Sequence, residues 1–108
     1  MGASWEGFAL EQVLRALRPP EAYFCATHNG AELDLLFTHR GRRYGVEFKF
    51  NEAPGATRSM HVAIADLDLT QLWIIYPGRE AFPIAPRLSA WPLSDVAGLP
   101  RELGARAR

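Results

Sequence analysis

Over residues 5–18 the apolar positions recur with a helical period. Leu10, Val13, Leu14 and Leu17 form one stripe, while Glu6, Glu11, Gln12, Arg15 and Arg18 fall elsewhere. The spacing predicts an amphipathic helix from Trp5 to Arg18 with Ser4 as its N-cap. Pro19-Pro20 ends it, because proline disfavours helical geometry before it and breaks a helix from within. The pattern then becomes strand-like. Residues 22–28 and 31–38 are rich in strand formers and flank Asn29-Gly30, two positions tolerant of positive φ that suit a two-residue hairpin turn. A second turn around His39-Arg40-Gly41 leads to a third strand over 43–50. There Tyr44, Val46, Phe48 and Phe50 share one face, and Arg43, Gly45, Glu47 and Lys49 share the other.

Residues 51–58 read as a loop, followed by a second helix over 59–68 capped by Ser59 or Thr57, with Met60, Ala63, Ile64 and Leu67 turned inward. Leu72 to Tyr76 is a continuous apolar run, the mark of a strand buried on both faces, and Pro77-Gly78 stops it. Phe82 to Ala85 reads as a short edge strand, and Leu93 to Val96 with Leu99 as a last turn. The order helix, three strands, helix, strand predicts an α/β fold, a three-layer α/β/α sandwich around a mixed sheet, since the third and fourth strands are joined through a helix. Residues 1–98 are read as a single domain and 99–108 as a frayed basic tail.

Composition narrows the function classes. A chain of 108 residues with 48% hydrophobic and 11% aromatic content supports one core without staples. A formal net charge of zero argues against tight, autonomous nucleic-acid binding, which calls for a basic surface. Cys25 is the only cysteine, which excludes an internal disulfide and reads as a small hydrophobe in a reducing compartment. Neither a signal peptide nor an apolar span of twenty residues is visible, so a cytoplasmic, non-membrane protein is the expectation.

Eleven of the twelve cations are arginine, and the one lysine, Lys49, lies in Glu47-Phe48-Lys49. An ammonium is a compact charge with a tunable pKa, unlike a guanidinium. On the preceding strand Glu32 and Asp34 project from a common face, and pairing through the turn at 39–41 brings Asp34 close to Glu47 with Lys49 beside them. Carboxylates on rigid strands suit Mg²⁺, which takes hard oxygen ligands. Glu11, off the apolar stripe of the first helix, can face the same cluster. The competing reading is a solvated sheet face, yet in a three-layer sandwich both faces are covered, and a charged cluster there sits in a cleft. His28, His39 and His61 lack zinc-ligand spacing with each other or with Cys25. Arg40, Arg42 and Arg43 read as a solubilising hairpin tip more than a phosphate contact. Trp73, Tyr76 and Phe82 read as packing, and Ser59 has no histidine-acid partner.

Gly30-Ala31-Glu32-Leu33-Asp34, an apolar strand, a turn and Gly45-Val46-Glu47-Phe48-Lys49 together resemble the PD-(D/E)XK nuclease superfamily, whose core order is α-β-β-β-α-β. More narrowly, the chain resembles the uncharacterised C-terminal domain that follows the AAA-type ATPase module in many prokaryotic ATP-binding proteins. That likeness is carried by Trp5-Glu6-Gly7-Phe8, Glu11, Thr27 to Asp34, Thr57-Arg58-Ser59-Met60, Asp66-Leu67 and Tyr76-Pro77-Gly78. The resemblance implies a restriction-endonuclease-like core. It matches Asp34 to the metal-binding aspartate, Glu47 to the second acid, Lys49 to the lysine and Glu11 to the helix-borne acid. It implies a catalytic set of Asp34, Glu47, Lys49 and Glu11, with Mg²⁺ or Mn²⁺ held by Asp34 and Glu47. DNA or RNA is the implied substrate and an AAA-type ATPase module the implied partner. Leu33 stands where a proline is common, and the second helix lacks the glutamine-tyrosine pair of helicase-linked nucleases. No Gly-Lys-Ser/Thr phosphate loop is present, so the chain is not itself the ATPase. The alternative implied function is a non-catalytic accessory or recognition module that keeps the fold.

Overall fold

A computed structural model describes residues 2–18, 21–23, 33–50 and 54–106. In chain order the elements are α1 (Gly2–Leu17), β1 (Glu21–Tyr23), β2 (Leu35–His39), β3 (Arg42–Phe48), α2 (Arg58–Asp66), β4 (Leu69–Tyr76), β5 (Phe82–Ala85) and β6 (Leu88–Pro92). A 3-10 segment (Leu93–Gly98) and α3 (Leu99–Arg106) follow. The strands form one mixed sheet of six, ordered β1-β2-β3-β4-β6-β5. α1, the 3-10 segment and α3 cover one face through Ala9, Val13, Val96, Leu99 and Leu103. α2 covers the other through Met60, Ala63 and Ile64. The fold is the expected α/β class, with the layers of a three-layer sandwich, and residues 2–76 run α-β-β-β-α-β.

The helical stripe behaves as its spacing demands: Val13 is fully buried, with Leu10, Leu14 and Leu17 packed at the margin of the same core. The start differs. α1 begins at Gly2, so Ser4 lies inside the helix and is not its cap. Gly7 stands three residues after Ser4, where a capping box needs Glu or Gln, and Ala3 is a strong helix former.

β1 and β2 pair antiparallel as Glu21↔Thr38, Ala22↔Phe37 and Tyr23↔Leu36, the register that a two-residue turn at Asn29-Gly30 generates. That turn, residues 24–28 of the expected first strand, Cys25, His28 and Glu32 lie outside the described residues. β2 begins at Leu35, not at residue 31, so Asp34 sits in a bend just before the strand. The β2–β3 turn is as read: His39 pairs with Arg42 across Arg40 and Gly41, with φ of 53° and 78°. Positive φ at both positions is the type I′ geometry that matches strand twist, and Gly41 adopts it without a Cβ penalty.

α2 links β3 to its parallel neighbour β4, the covered connection that a parallel pair needs. Its cap is Thr57, whose Oγ1 accepts from the Met60 amide at 3.2 Å. β4 is the central strand, flanked by β3 and β6, both parallel to it. Leu72, Trp73, Ile74 and Ile75 are fully buried, as a strand enclosed on both faces requires. Buried Gln71 is tolerated there because its Nε2 donates to Ser89 Oγ at 3.0 Å.

The C-terminal quarter holds more structure than its pattern conveys. Leu88–Pro92 forms β6, inserted between β4 and the edge strand β5. Residues 99–106, expected as part of a frayed tail, form α3, with Leu99 and Leu103 buried one turn apart. No helix among the described residues is long and apolar enough to cross a membrane.

Candidate functional site

The expected cluster forms where β2 and β3 part company. Their ladder pairs Leu35 with Val46 and stops. Two residues further along β3, the Phe48 amide lies beyond that ladder, and Asp34 Oδ2 accepts from it at 2.8 Å. The bend before β2 therefore turns the Asp34 carboxylate back onto β3. On the other side β3 stays tied to the central strand beyond its last ladder residue, since the Lys49 amide donates to the Ile75 carbonyl at 2.9 Å. Both neighbours thus fix the Glu47-Phe48-Lys49 backbone. Phe48 points into the α1-side core, and alternation sets Glu47 and Lys49 apart from it. The place is the carboxyl end of β3 and of its parallel neighbour β4, where open α/β sheets bind ligands.

Electrostatics separate this cluster from a solvated sheet face. Glu47 is only 7% exposed, whereas the Lys49 side chain is 43% exposed and brings Nζ to 3.8 Å from Glu47 Oε2. Glu47 Oε1 is buried with no hydrogen-bond partner. Burial pushes the Glu47 carboxyl up from 4.5 to about 8. The adjacent Asp34 carboxylate adds to the rise by repelling a second charge and by accepting the proton of the neutral form, and Lys49 partly offsets it. A buried carboxyl held neutral beside a second carboxylate is costly as structure alone.

These features invite comparison with known proteins. A family described as "Domain of unknown function (DUF4143)" matches residues 1–96. The chain belongs to the DUF4143 family. The uncharacterized protein Rv2008c of Mycobacterium tuberculosis is 44% identical over 96 residues, covering 89% of this chain and 22% of the relative. Mb2031c, an uncharacterized protein of Mycobacterium bovis, matches to the same extent. The chain therefore spans about a fifth of the length of the curated relatives it matches. No solved structure matches it.

Within this DUF4143 domain a cleft of about 290 Å³ opens beside Asp34 on the α1 side of the sheet, lined by Glu6, Gly7, Leu10, Asp34 and Phe48. Its helix-borne acid is Glu6. Glu11, expected in the cluster, points away: its side chain is 63% exposed and pairs with Arg15 Nη2 at 3.2 Å along the outer face of α1. Five residues separate the two, about 140° around a helix axis, so only one of them can face Asp34. Glu6 was legible in principle, since it precedes Leu10 by one turn and so sits on the edge of the apolar stripe.

The donor set fits a hard divalent cation. Asp34 and Glu47 offer carboxylate oxygens only, and Mg²⁺ characteristically uses one or two carboxylates and keeps several waters. No group of three or more histidine, cysteine or acidic side chains with metal-holding geometry occurs among the described residues, so any cation held there rests on two protein carboxylates and waters. His61 is exposed on α2, in keeping with a surface histidine. Arg40, Arg42 and Arg43 are exposed at the far end of β3, and Arg43 Nη1 donates to the Leu67 carbonyl at 3.1 Å. Trp73 is core, and Phe82 lies against Tyr76 at the sheet edge.

Proposed function

We propose that this domain is a divalent-metal-dependent nuclease-like module acting on nucleic-acid phosphodiester bonds, in the manner of the PD-(D/E)XK superfamily. The observation that carries the reading is the convergence of Asp34 and buried Glu47, with Lys49 3.8 Å from Glu47, at the carboxyl end of β3. Asp34 and Glu47 would hold Mg²⁺ or Mn²⁺, which when bound supplies a Lewis acid and lowers the pKa of a coordinated water. Glu47 gives up its proton to serve as a ligand, so cation affinity rises with pH. The Lys49 ammonium, half-exposed and pinned through its own backbone, orients the attacking water and offsets negative charge as it builds on the phosphate. Glu6 shares the α1-side cleft with Asp34, so its part would be to accept a proton from a water beside Asp34.

The test is cleavage of single- and double-stranded DNA and RNA in Mg²⁺ or Mn²⁺, with Asp34→Ala and Lys49→Ala run alongside. Cleavage lost in both variants supports the reading; cleavage that survives both marks a contaminant and ends it. One observation favours a second reading. The relatives are several times longer than the stretch they share with this chain, and the chain carries no net charge. An accessory module that keeps the nuclease fold and serves recognition beside an AAA-type ATPase fits those facts, and it predicts no cleavage by wild-type protein under any metal.

A further inference from the structure

Three large apolar side chains stand exposed among the described residues: Phe8 (56%), Phe50 (42%) and Phe82 (39%). Phe82 rests edge-on against Tyr76 at the β5 edge. Phe8 lines a separate hollow of about 510 Å³ on the other flank of α1 with Gln12 and Pro77. Phe50 is different. It directly follows Lys49, and its ring meets Trp5 edge-to-face, with centroids 5.6 Å apart at 66°. Trp5 in turn directly precedes Glu6, which lines the cleft beside Asp34. Two consecutive residues on each of two elements thus place an aromatic pair next to the acid cluster.

We propose that Phe50, braced by Trp5, is a stacking platform for an unpaired nucleobase beside the Asp34, Glu47 and Lys49 centre, so that the substrate class is single-stranded nucleic acid or the opened end of a duplex. The proposal rests on the nuclease reading above and names the substrate for that same site. Two observations and one general property of bases carry it. Trp5 is partly buried against the α1-side core, so the Phe50 ring is held while part of it stays open, which lowers the entropy cost of stacking. The chain has zero net charge and its site is acidic, so phosphate contacts contribute little affinity and a ring face must contribute more. Paired bases offer their faces to each other; only an unstacked base presents one to a protein ring.

Binding is measured apart from chemistry, in Ca²⁺, by fluorescence anisotropy with dye-labelled single-stranded DNA, RNA of the same sequence and the corresponding duplex. Wild type binds single strands more tightly than duplex. Phe50→Ala weakens single-strand binding roughly tenfold, and Phe50→Trp retains it. Single strands quench tryptophan emission, and Trp5→Phe removes most of that quench while Trp73, fully buried, contributes none. Equal single-strand affinity for wild type and Phe50→Ala overturns the proposal, as does a preference for duplex. So does a switch from dimer to monomer in Phe50→Ala, which makes the ring a contact between copies. The two readings fail separately. Cleavage that persists with Phe50 irrelevant ends the platform alone. A Phe50-dependent single-strand affinity without any metal-dependent cleavage ends the nuclease and leaves a binding site.

Discussion

β3 carries charge at both ends, and the ends differ in kind. At its start Arg42 and Arg43 stand exposed beside the tight Arg40-Gly41 turn, and Arg43 finds a backbone carbonyl at no cost in solvation. At its finish Glu47 is enclosed, one of its oxygens lacks a partner, and the carboxylate beside it resists its ionisation. Five residues of one strand separate a solvated tip from a desolvated cluster. Alternation is the same at both ends; the covering layer differs. At the finish, Asp34 bends back onto the strand and Glu47 is buried, while the Arg40-Gly41 turn stands in solvent. A buried carboxyl with an unpartnered oxygen is expensive to keep, and that expense is the physical argument for a functional role.

The sharpest break of this contrast is chemical. Lys49→Ala and Asp34→Ala each reduce metal-dependent cleavage by about a hundredfold or more, the loss expected when a group acting only on the developing charge is removed. Arg42→Gln in the same assay leaves the rate within about twofold, because the tip is remote from the acids. If Arg42→Gln matches Lys49→Ala in its effect, the two ends are not distinct and the assignment falls.

Next in size is a packing test midway along the strand. A Cβ at Gly45 meets Leu33 Cδ1 and Leu69 Cδ1, each at 2.9 Å, in the α2-side core. Gly45→Ala forces those leucine tips aside and costs about 1–3 kcal/mol, read as a drop in Tm of several degrees on thermal unfolding. An unchanged Tm would mean that the α2 layer yields without strain.

A smaller effect reports the buried acid directly. The Glu47 carboxyl titrates near 8 when folded and near 4.5 when unfolded, so between those values the folded state holds the extra proton. Stability of the metal-free protein then falls as pH rises from about 4.5 to about 8. Glu47→Gln removes that slope, and at pH 8 its Tm exceeds that of wild type. Mg²⁺ raises the wild-type Tm more at pH 8 than at pH 6, since it binds the ionised form, and leaves Glu47→Gln nearly unmoved. Parallel pH curves for the two proteins would show that Glu47 is ordinary. Smallest of all, Arg42→Gln shifts unfolding free energy by no more than about 0.5 kcal/mol, the usual size for an exposed charge.

Much of the fold was legible because its signals were local and redundant. The α1 stripe, the Thr57 cap, the Arg40-Gly41 turn and the apolar β4 run each name their own element. β6 was not legible, since Leu88-Ser89-Ala90-Trp91-Pro92 is short, poor in β-branched residues and ends in proline; only its seat between β4 and β5 makes it a strand. α3 was hidden by a tail of glycine, alanine and arginine, against which Leu99 and Leu103 are two faint marks. In the candidate site, the proximity of Asp34, Glu47 and Lys49 could be read from spacing, but which acid of α1 lies near Asp34 could not be read without the phase of the helix on the sheet. That phase is a tertiary property, and it selects Glu6 over Glu11.

The bond from the Phe48 amide to Asp34 has an evolutionary corollary. Asp34 ends a strand ladder as well as facing the cleft, so selection for folding would keep it in place whether or not the domain cuts. The Lys49 side chain is half-exposed, with its ammonium 3.8 Å from Glu47. On the proposed nuclease reading, the lysine and not the aspartate is the residue whose loss across the relatives of this domain would date the retirement of the chemistry.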